Sequence, residues 1–319
     1  MRSFRVPMRL IVSLTLLVGA TSGCTPPPAS ASRDSRPSVE GTTLTSGARG
    51  HLLLVGGGPI PTGVTRLFID LAGGRGRARI AVIPTASALA STGPDNVATL
   101  KGLGADAFVV NITRTEANDD SIVRKLDGAT GIWFSGGDQN RITAAMSNTR
   151  AERAIRDRYM SGAVIGGTSA GAAVMSERMF TGDERRPGGS RPLTDSTQAN
   201  VTIDRENVVT AIGFGLLRGA IVDQHFVRRR RHNRLVSVVL EDPTTVGVGI
   251  DEATALHVHP DGTWRVVGAT AVVVIDARTA AVTPRGSMLG ASGIRMHVLP
   301  AGSTFDPVSG KVLELGVKR

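Results

Sequence analysis

Short apolar runs alternate with amphipathic stretches from residue 51 onward. The apolar runs predict strands over 51–55, 78–84, 107–112, 131–134 and 163–166. Between them, apolar positions recurring every three or four residues predict helices over 64–72, 96–103, 119–126, 140–146, 151–160 and 170–175. Continuously apolar strands separated by helices are typical of a parallel sheet covered on both faces. The pattern therefore predicts an α/β fold, a three-layer sandwich with a mostly parallel central sheet.

The second half of the chain has fewer helical patterns. Further strands are predicted over 220–222, 247–250, 263–267, 271–275 and 294–299. The strands after Glu252 are expected to form hairpins at the edge of the main sheet, as a β-rich C-terminal extension. Residues 178–205 are mostly polar and lack periodicity, which predicts a long surface insertion of the kind that is often functional in enzymes.

The first residues contain, in order, the basic, apolar and cleavage-site segments of a secretory signal peptide. Residues 1–9 carry three Arg and no acid, and the apolar run 10–20 is too short to span a bilayer. The segment Thr21-Ser22-Gly23-Cys24 resembles a bacterial lipobox, in which Cys24 becomes the lipidated first residue. Ala29-Ser30-Ala31 offers ordinary signal cleavage as an alternative, which would give a secreted protein.

We therefore expect three parts along the chain. Residues 1–23 form a lipoprotein-type signal peptide, 24–49 a flexible linker rich in Pro, Ser and Thr, and 50–319 a single catalytic α/β domain. The protein is expected to be exported to the periplasmic or cell-surface side of a membrane, and to touch that membrane only through the N-terminal lipid.

Composition excludes several classes of protein. With 41% hydrophobic and 20% charged residues the chain can bury a core, while 3% aromatic residues argue against a stacking platform for nucleic acid. The single Cys excludes a zinc site built from cysteines. His257 and His259 are interpreted as half-exposed strand residues, so we expect no metal and no cofactor. The net charge of +10 favours an anionic partner.

A candidate nucleophile lies between a predicted strand and a predicted helix. Gly167-Thr168-Ser169-Ala170-Gly171 has the G-x-S-x-G pattern of a nucleophile elbow. In that turn the Ser hydroxyl is exposed, and the N–H of Ala170 is free to bind an oxyanion. The alternative is a Gly-rich turn that packs tightly or holds a phosphate.

A serine nucleophile needs a base and an orienting acid. His225 follows one apolar strand, and Asp251 and Glu252 follow the next. Because parallel sheets carry active sites at the carboxyl ends of their strands, three consecutive strand ends would bring Ser169, His225 and an acid to one edge. Along the chain the serine comes first, then the histidine, then the acid, whereas in the α/β-hydrolases the acid precedes the histidine.

A basic run follows the candidate base. Arg228–Arg231 and Arg234 could form a solvated face or a nucleic-acid patch. Because Arg binds carboxylates through two hydrogen bonds, arginines beside His225 instead suggest an acidic substrate. An exported protein has little use for a nucleic-acid patch, so we expect no nucleic acid as partner.

Four separated blocks, together with a similar C-terminal segment, resemble cyanophycinases, which are serine exopeptidases of the dipeptidase E-like group with a class I glutamine-amidotransferase-like fold. The four blocks are Phe134–Gln139, Gly167–Ala172, Val222–Phe226 with its trailing arginines, and Gly249–Leu256, and the C-terminal segment is Leu299–Asp306. The resemblance spans about residues 50–308. Two segments depart from the pattern of the family: the first glycine turn, Gly56–Pro61, and the 178–205 insertion.

The resemblance implies roles for residues of these blocks. It implies Ser169 as nucleophile, His225 as general base and Glu252 as orienting acid, with Asp251 as the alternative acid. The implied oxyanion hole consists of the N–H groups of Ala170 and Gly137. The implied substrate site consists of Gln139, Asp223, Gln224, Arg229, Arg231 and Arg234.

Cyanophycin, the substrate of the family, is poly-aspartate with Arg on each β-carboxyl, and the products are β-Asp-Arg dipeptides. Arg229, Arg231 and Arg234 would hold the free α-carboxylate of the polymer, and Asp223 or an acid in the 178–205 insertion would meet the substrate guanidinium. The family also suggests a homodimer. The alternatives are an isoaspartyl or dipeptidase E-like enzyme that cleaves short acidic peptides, and a non-catalytic surface protein that binds polyanions through the basic run.

Overall fold

The computed structural model describes residues 47–184, 202–286 and 288–317, all within one unit, Gly41–Arg319. The α-helices of this part are α1 Thr62–Leu71, α2 Thr92–Gly102, α3 Asp120–Asp127, α4 Gln139–Met146, α5 Arg150–Ser161, α6 Ala170–Ala173 and α7 His232–Glu241. The first nine strands are β1 Leu52–Val55, β2 Arg79–Ile83, β3 Asp106–Val109, β4 Gly131–Phe134, β5 Val164–Thr168, β6 Arg178–Glu184, β7 Val208–Ile212, β8 Ala220–Gln224 and β9 Val246–Ile250. The remaining strands are β10 Thr254–Val258, β11 Trp264–Gly268, β12 Ala271–Asp276, β13 Ala281–Val282, β14 Ala291–Ser292, β15 Arg295–Pro300, β16 Thr304–Asp306 and β17 Lys311–Glu314.

The larger sheet has nine strands in the order β17-β16-β11-β10-β1-β5-β4-β2-β3. The strands from β1 to β3 in this order are parallel. On the other side of β1, β10 pairs antiparallel, and β11, β16 and β17 extend the sheet in the same manner. The predicted α/β fold, with a parallel sheet and additional C-terminal strands, is confirmed.

Strand β1 shows how helices cover both faces of this sheet. Leu52 and Leu54 join a core with α3, α4 and α5, whereas Leu53 and Val55 join a core with α1 and α2. Successive side chains of a strand point to opposite faces, so a strand covered on both faces must be apolar at every position. This arrangement explains the continuous apolar runs and gives the predicted three layers.

A second sheet packs beside the first. It has the order β15-β12-β9-β8, with β8 and β9 parallel to each other. Val222 and Val248 face the core that this sheet shares with the large sheet. On its other face, Ile221 and Val273 pack with Leu235 of α7.

Ser169, His225 and the acid follow strand ends as predicted, but the prediction that all three strands belong to one sheet is wrong. Ser169 follows β5 of the nine-stranded sheet, whereas His225 follows β8 of the four-stranded sheet. The reason is that β10 hydrogen-bonds to the edge of β1, so that β8 and β9 pair with each other and with β12. The site is therefore built where two sheets meet.

The predicted insertion at 178–205 begins as a strand rather than as a surface loop. β6 pairs antiparallel with β7, and Met179 and Phe180 are fully buried. Met179 and Phe180 are surrounded by polar residues in the sequence. The segment therefore lacks the apolar run that predicts a strand. Residues 185–201 lie outside the described residues.

The leader is not described by the structure. The predicted signal peptide, Cys24 and most of the predicted linker lie outside the described residues. Within the part of the chain that is described, no helix combines the length and the apolar character needed to cross a bilayer.

Candidate active site

Ser169 occupies a sharp turn between β5 and α6. Its backbone has φ 53° and ψ −112°, a conformation that costs a non-glycine residue roughly 1–3 kcal/mol. Its N–H donates to the carbonyl of Val55 at 2.9 Å, and its own carbonyl accepts the N–H of Ala172 at 2.9 Å. A Cβ on Gly167 would lie 2.6 Å from the backbone of Gly171. The flanking glycines are thus required by the tightness of the elbow.

Ser169 belongs to a hydrogen-bonded chain of three side chains. Its Oγ lies 2.9 Å from Nε2 of His225, and Nδ1 of the same imidazole lies 2.7 Å from Oε1 of Glu252. The alternative acid, Asp251, instead accepts the backbone N–H of Arg228 at 2.9 Å. The geometry therefore favours Glu252 over Asp251 as the partner of His225.

The glycine turn after β1 packs against this chain. A Cβ on Gly57, which has φ +107°, would overlap Cε1 and Nε2 of His225. A Cβ on Gly58 would lie 2.9 Å from Cβ of Glu252. The carbonyl of Gly56 accepts the N–H of His225 at 2.7 Å. Sequence reasoning missed this positioning role, for which the three consecutive glycines were the available signal.

The pKa of His225 is lowered, chiefly because the imidazole is buried. The hydrogen bond to Glu252 raises this pKa, whereas the positive charges of Arg229 and Arg231 lower it further. The hydrogen bond with His225 lowers the pKa of Glu252. At neutral pH the imidazole is therefore neutral and the carboxylate is charged. In that state Nδ1–H donates to Glu252 and Nε2 can accept a proton from Ser169.

The N–H groups predicted for the oxyanion hole belong to Ala170, which follows Ser169, and to Gly137, which follows a glycine packed near Ser169. Ala170 is the first residue of α6, where N–H groups have no partner within the helix. A Cβ on Gly136 would lie 3.6 Å from Cβ of Ser169, and Gly137 follows with φ +145°. Among the described residues, the N–H groups of Ala170 and Gly137 have no hydrogen-bond partner. They are available to an oxyanion.

The basic run divides into exposed and buried arginines. Arg228–Arg230 are exposed, whereas Arg231 and Arg234 are buried. Nε of Arg234 donates to Oδ2 of the fully buried Asp223 at 2.7 Å, and its Nη2 contacts Oδ1. Nη1 of Arg231 lies 3.5 Å from the same Oδ1 and donates to the carbonyl of Gln224 at 2.6 Å.

This pairing bears on the predicted substrate roles of Asp223 and Arg234. Asp223 and Arg234 form an ion pair inside the protein, and their roles in holding a substrate guanidinium and carboxylate stay predictions. The Arg234 guanidinium also lies 4.8 Å from the ring centroid of Phe180 on β6. Arg229, by contrast, is exposed and close enough to His225 to affect its pKa.

The two predicted glutamines differ in their surroundings. Gln139, at the start of α4, is buried, and its Nε2 donates to the carbonyl of Phe180 at 2.6 Å. It therefore ties α4 to β6. Gln224 is also buried, but among the described residues its Oε1 has no hydrogen-bond partner. The predicted substrate role of Gln224 stays a prediction.

Three histidines form a separate cluster. A ring nitrogen of each of His51, His257 and His259 lies within 4.8 Å of the others. Sequence reasoning interpreted the last two as ordinary strand residues and predicted no metal site. It missed the cluster because only the pairing of β1 with β10 brings His51 beside them. These are imidazoles that could hold a metal ion.

A hydroxyl, an imidazole and a carboxylate linked in this order, beside free N–H groups at a helix start, are the arrangement of serine hydrolases. The turn from β5 into α6 has the geometry of a nucleophile elbow. Fold and site together thus define an α/β serine hydrolase.

Comparison with known proteins gives the family. The sequence profile of peptidase family S51 matches residues 52–266. A cyanophycinase of Synechococcus elongatus is 33% identical over 278 residues, which cover 82% of this chain and 80% of the relative. A cyanophycinase of Trichormus variabilis is 34% identical over 251 residues, covering 76% of this chain and 79% of the relative. The chain belongs to peptidase family S51 and is a serine-type peptidase.

A solved structure shares the fold. The crystal structure of a peptidase from an acI-B1 actinobacterium superposes with a TM-score of 0.59 at 22% sequence identity. The match covers 82% of this chain and 98% of that one. The likeness supports the architecture of sheet and helices.

Proposed function

We propose that this peptidase hydrolyses cyanophycin, multi-L-arginyl-poly-L-aspartate, as an exopeptidase that releases β-Asp-Arg dipeptides through an acyl-enzyme. One observation carries the proposal: the hydrogen-bonded chain Ser169–His225–Glu252 lies in a sequence 33% identical to a cyanophycinase. The reaction as proposed uses side chains and backbone groups of this chain alone.

In the proposed mechanism, Nε2 of His225 accepts the proton of Ser169 as Oγ attacks the scissile carbonyl. The N–H groups of Ala170 and Gly137 stabilise the tetrahedral oxyanion. The imidazolium then gives its proton to the leaving amine, and the acyl group stays on the serine oxygen. His225 next deprotonates a water molecule, whose attack releases the acyl group and restores the hydroxyl. Glu252 stabilises the imidazolium in both steps.

Charge at the opening of the site supports an acidic substrate. Arg229 is exposed beside His225, so its guanidinium can attract and pair with a free carboxylate of a poly-aspartate backbone. The unpartnered Oε1 of Gln224 can accept a hydrogen bond from a substrate guanidinium. Asp223, Arg231 and Arg234 support this end of β8 from inside the protein.

The test is hydrolysis of cyanophycin by the purified full chain, followed by mass spectrometry. We expect β-Asp-Arg, and no release from the Ser169→Ala variant. Cleavage of short α-linked Asp-Xaa peptides without release from cyanophycin would establish the dipeptidase E-like alternative instead. Labelling of the wild type by an activated fluorophosphonate would exclude the non-catalytic, polyanion-binding alternative, which predicts no label.

We also propose export and lipidation at Cys24, supported by the basic start, the apolar run 10–20 and the lipobox-like segment. Expression of the full chain in a bacterium fed labelled palmitate should give a labelled, membrane-associated protein. Cys24→Ser should lose the label. A wild-type product that begins after Ala31 and carries no label would contradict lipidation and support plain secretion.

The homodimer suggested by the resemblance is a further proposal. It rests on the family likeness alone. Size-exclusion chromatography with light scattering distinguishes the dimer from a monomer of 33.2 kDa, less the mass of any cleaved leader.

A further inference from the structure

The three-histidine cluster lies on one face of the large sheet. The register of β1 and β10 pairs Leu53 with His257 and Leu52 with Val258. Continuing this register places His51 opposite residue 259, and directly opposed residues of an antiparallel pair share a face. His51, His257 and His259 therefore project from the same face as a consequence of strand pairing.

The three rings are in mutual contact. The ring centroids of His257 and His259 lie 3.9 Å apart, and those of His51 and His257 lie 4.9 Å apart. Nε2 of His257 lies 2.9 Å from Nδ1 of His51. No described residue forms a hydrogen bond with the ring of His259. That imidazole thus stacks against the pair with its nitrogens available.

His257 is the most deeply buried of the three histidines. His257 is only 4% exposed, and burial, with the neighbouring His259 and His51, lowers its pKa to about 3. Asp261 and Arg265 are the nearby charged groups, and the carboxylate of Asp261 offsets the guanidinium in its effect on these rings.

We propose that His51, His257 and His259 bind one divalent transition-metal ion of the Zn²⁺ class, each through one ring nitrogen, with water completing the coordination. Neutral imidazoles are preferred ligands for Zn²⁺, with N–Zn distances of about 2.0–2.1 Å. The three nitrogens already lie within 4.8 Å of one another, so small ring rotations suffice to enclose an ion.

The proton balance of binding is simple. The hydrogen shared between His257 and His51 moves to the other nitrogen of its own ring by exchange with water. Both imidazoles then remain neutral, each with a lone pair directed at the metal. Binding to the three neutral rings therefore releases no net proton.

The site is separate from the candidate active site and does not depend on the proposed function. His51 precedes β1 and Gly56 follows it, so at about 3.3 Å per residue they lie roughly 16 Å apart. A metal here would join the start of β1 to the turn between β10 and β11. We expect it to stabilise the fold and to leave peptidase turnover unchanged.

The experiment uses the full chain without a histidine tag, stripped of metal with a chelator. ZnCl₂ is titrated by isothermal calorimetry, and Co²⁺ by visible absorption. We expect one equivalent of Zn²⁺ to bind, a tetrahedral Co²⁺ spectrum, and a Tm raised by about 5 °C at free Zn²⁺ one hundred times Kd.

Substitution of single histidines tests which residues bind the metal ion. Loss of a group that only hydrogen-bonds a metal ligand weakens affinity by about 10- to 100-fold, so His259→Ala, which removes a ligand, should weaken it by at least about 100-fold. The same loss is expected for His51→Ala, and the exposed His232→Ala is the matched control that should bind as the wild type does. Absence of binding to the wild type, or unchanged binding by His259→Ala, would overturn the proposal. So would loss of binding only in His225→Ala, because the metal would then lie at the active site.

Discussion

A Cβ on Gly57 would overlap the imidazole of His225 at Cε1 and Nε2. The glycine also has φ +107°, which side chains rarely adopt. We expect Gly57→Ala to push the imidazole away from Ser169 and to lower kcat/KM on cyanophycin by at least about 100-fold, since a displacement of about 1 Å can have that effect. Steady-state kinetics measure the loss of kcat/KM, and the thermal midpoint measures the strain that the substitution adds to the fold.

Gly63→Ala is the matched control for this substitution. Gly63 lies in α1, and a Cβ there would meet nothing within 4 Å. We expect unchanged activity and a gain of about 0.5–1 kcal/mol in the free energy of unfolding, because Ala is the better helix former. If Gly57→Ala kept more than a tenth of wild-type activity, the glycine turn would not be what positions His225.

Removal of the Ser169 hydroxyl tests the nucleophile. Ser169→Ala should lower kcat by at least about 10⁴-fold, because no acyl-enzyme can form. Its circular dichroism and Tm should match the wild type, and fluorophosphonate labelling should disappear. Ser161→Ala, at the exposed end of α5, should keep both activity and labelling. Labelling of the Ser169→Ala variant would assign the nucleophile elsewhere.

The sequence is sufficient to predict much of the fold because buried parallel strands must be apolar at every position. The run 131–134 was predicted without error at either end, and β5 was placed within two residues. Ser169 and His225 were found because a glycine turn and a polar triplet each follow such a run. These signals are local, and local patterns are read directly from a sequence.

Contacts between distant segments could not be predicted in this way. His257 meets His51 across 206 residues of chain, and β10 rather than β8 pairs with β1. Likewise, nothing within the basic run distinguishes the exposed Arg229 from the buried Arg234. Their difference arises from Asp223 and from Phe180, which lies in a segment predicted to be a surface loop.

The pH dependence of kcat/KM should report the titration of His225. Because the pKa of His225 lies below the usual 6.5, activity should fall with decreasing pH only below that value. The positive charge of Arg229 contributes to this lowering, so Arg229→Gln should raise the pKa of His225. The acid limb of the profile should then move to higher pH, while KM for cyanophycin increases at the plateau.

Arg230→Gln is the control for this prediction. It makes the same charge change at an exposed neighbour in the same turn. We expect a smaller shift of the acid limb and little change in KM. Equal shifts in both variants would mean that the net charge of the whole run, rather than Arg229, tunes His225. A shift of the Arg229→Gln profile to lower pH would contradict the electrostatic argument.

Asp223→Asn tests whether the buried aspartate is structural. Asp223 is 0% exposed, and loss of its charge would leave the Arg234 guanidinium buried without a counter-ion, which typically costs about 3–5 kcal/mol. Urea unfolding should show a loss of that size. Asp120→Asn breaks the exposed pair with Arg150 and should cost less than about 1 kcal/mol. If Asp223→Asn were as stable as the wild type and only raised KM, Asp223 would contact the substrate, and the buried pair would not be what supports this end of β8.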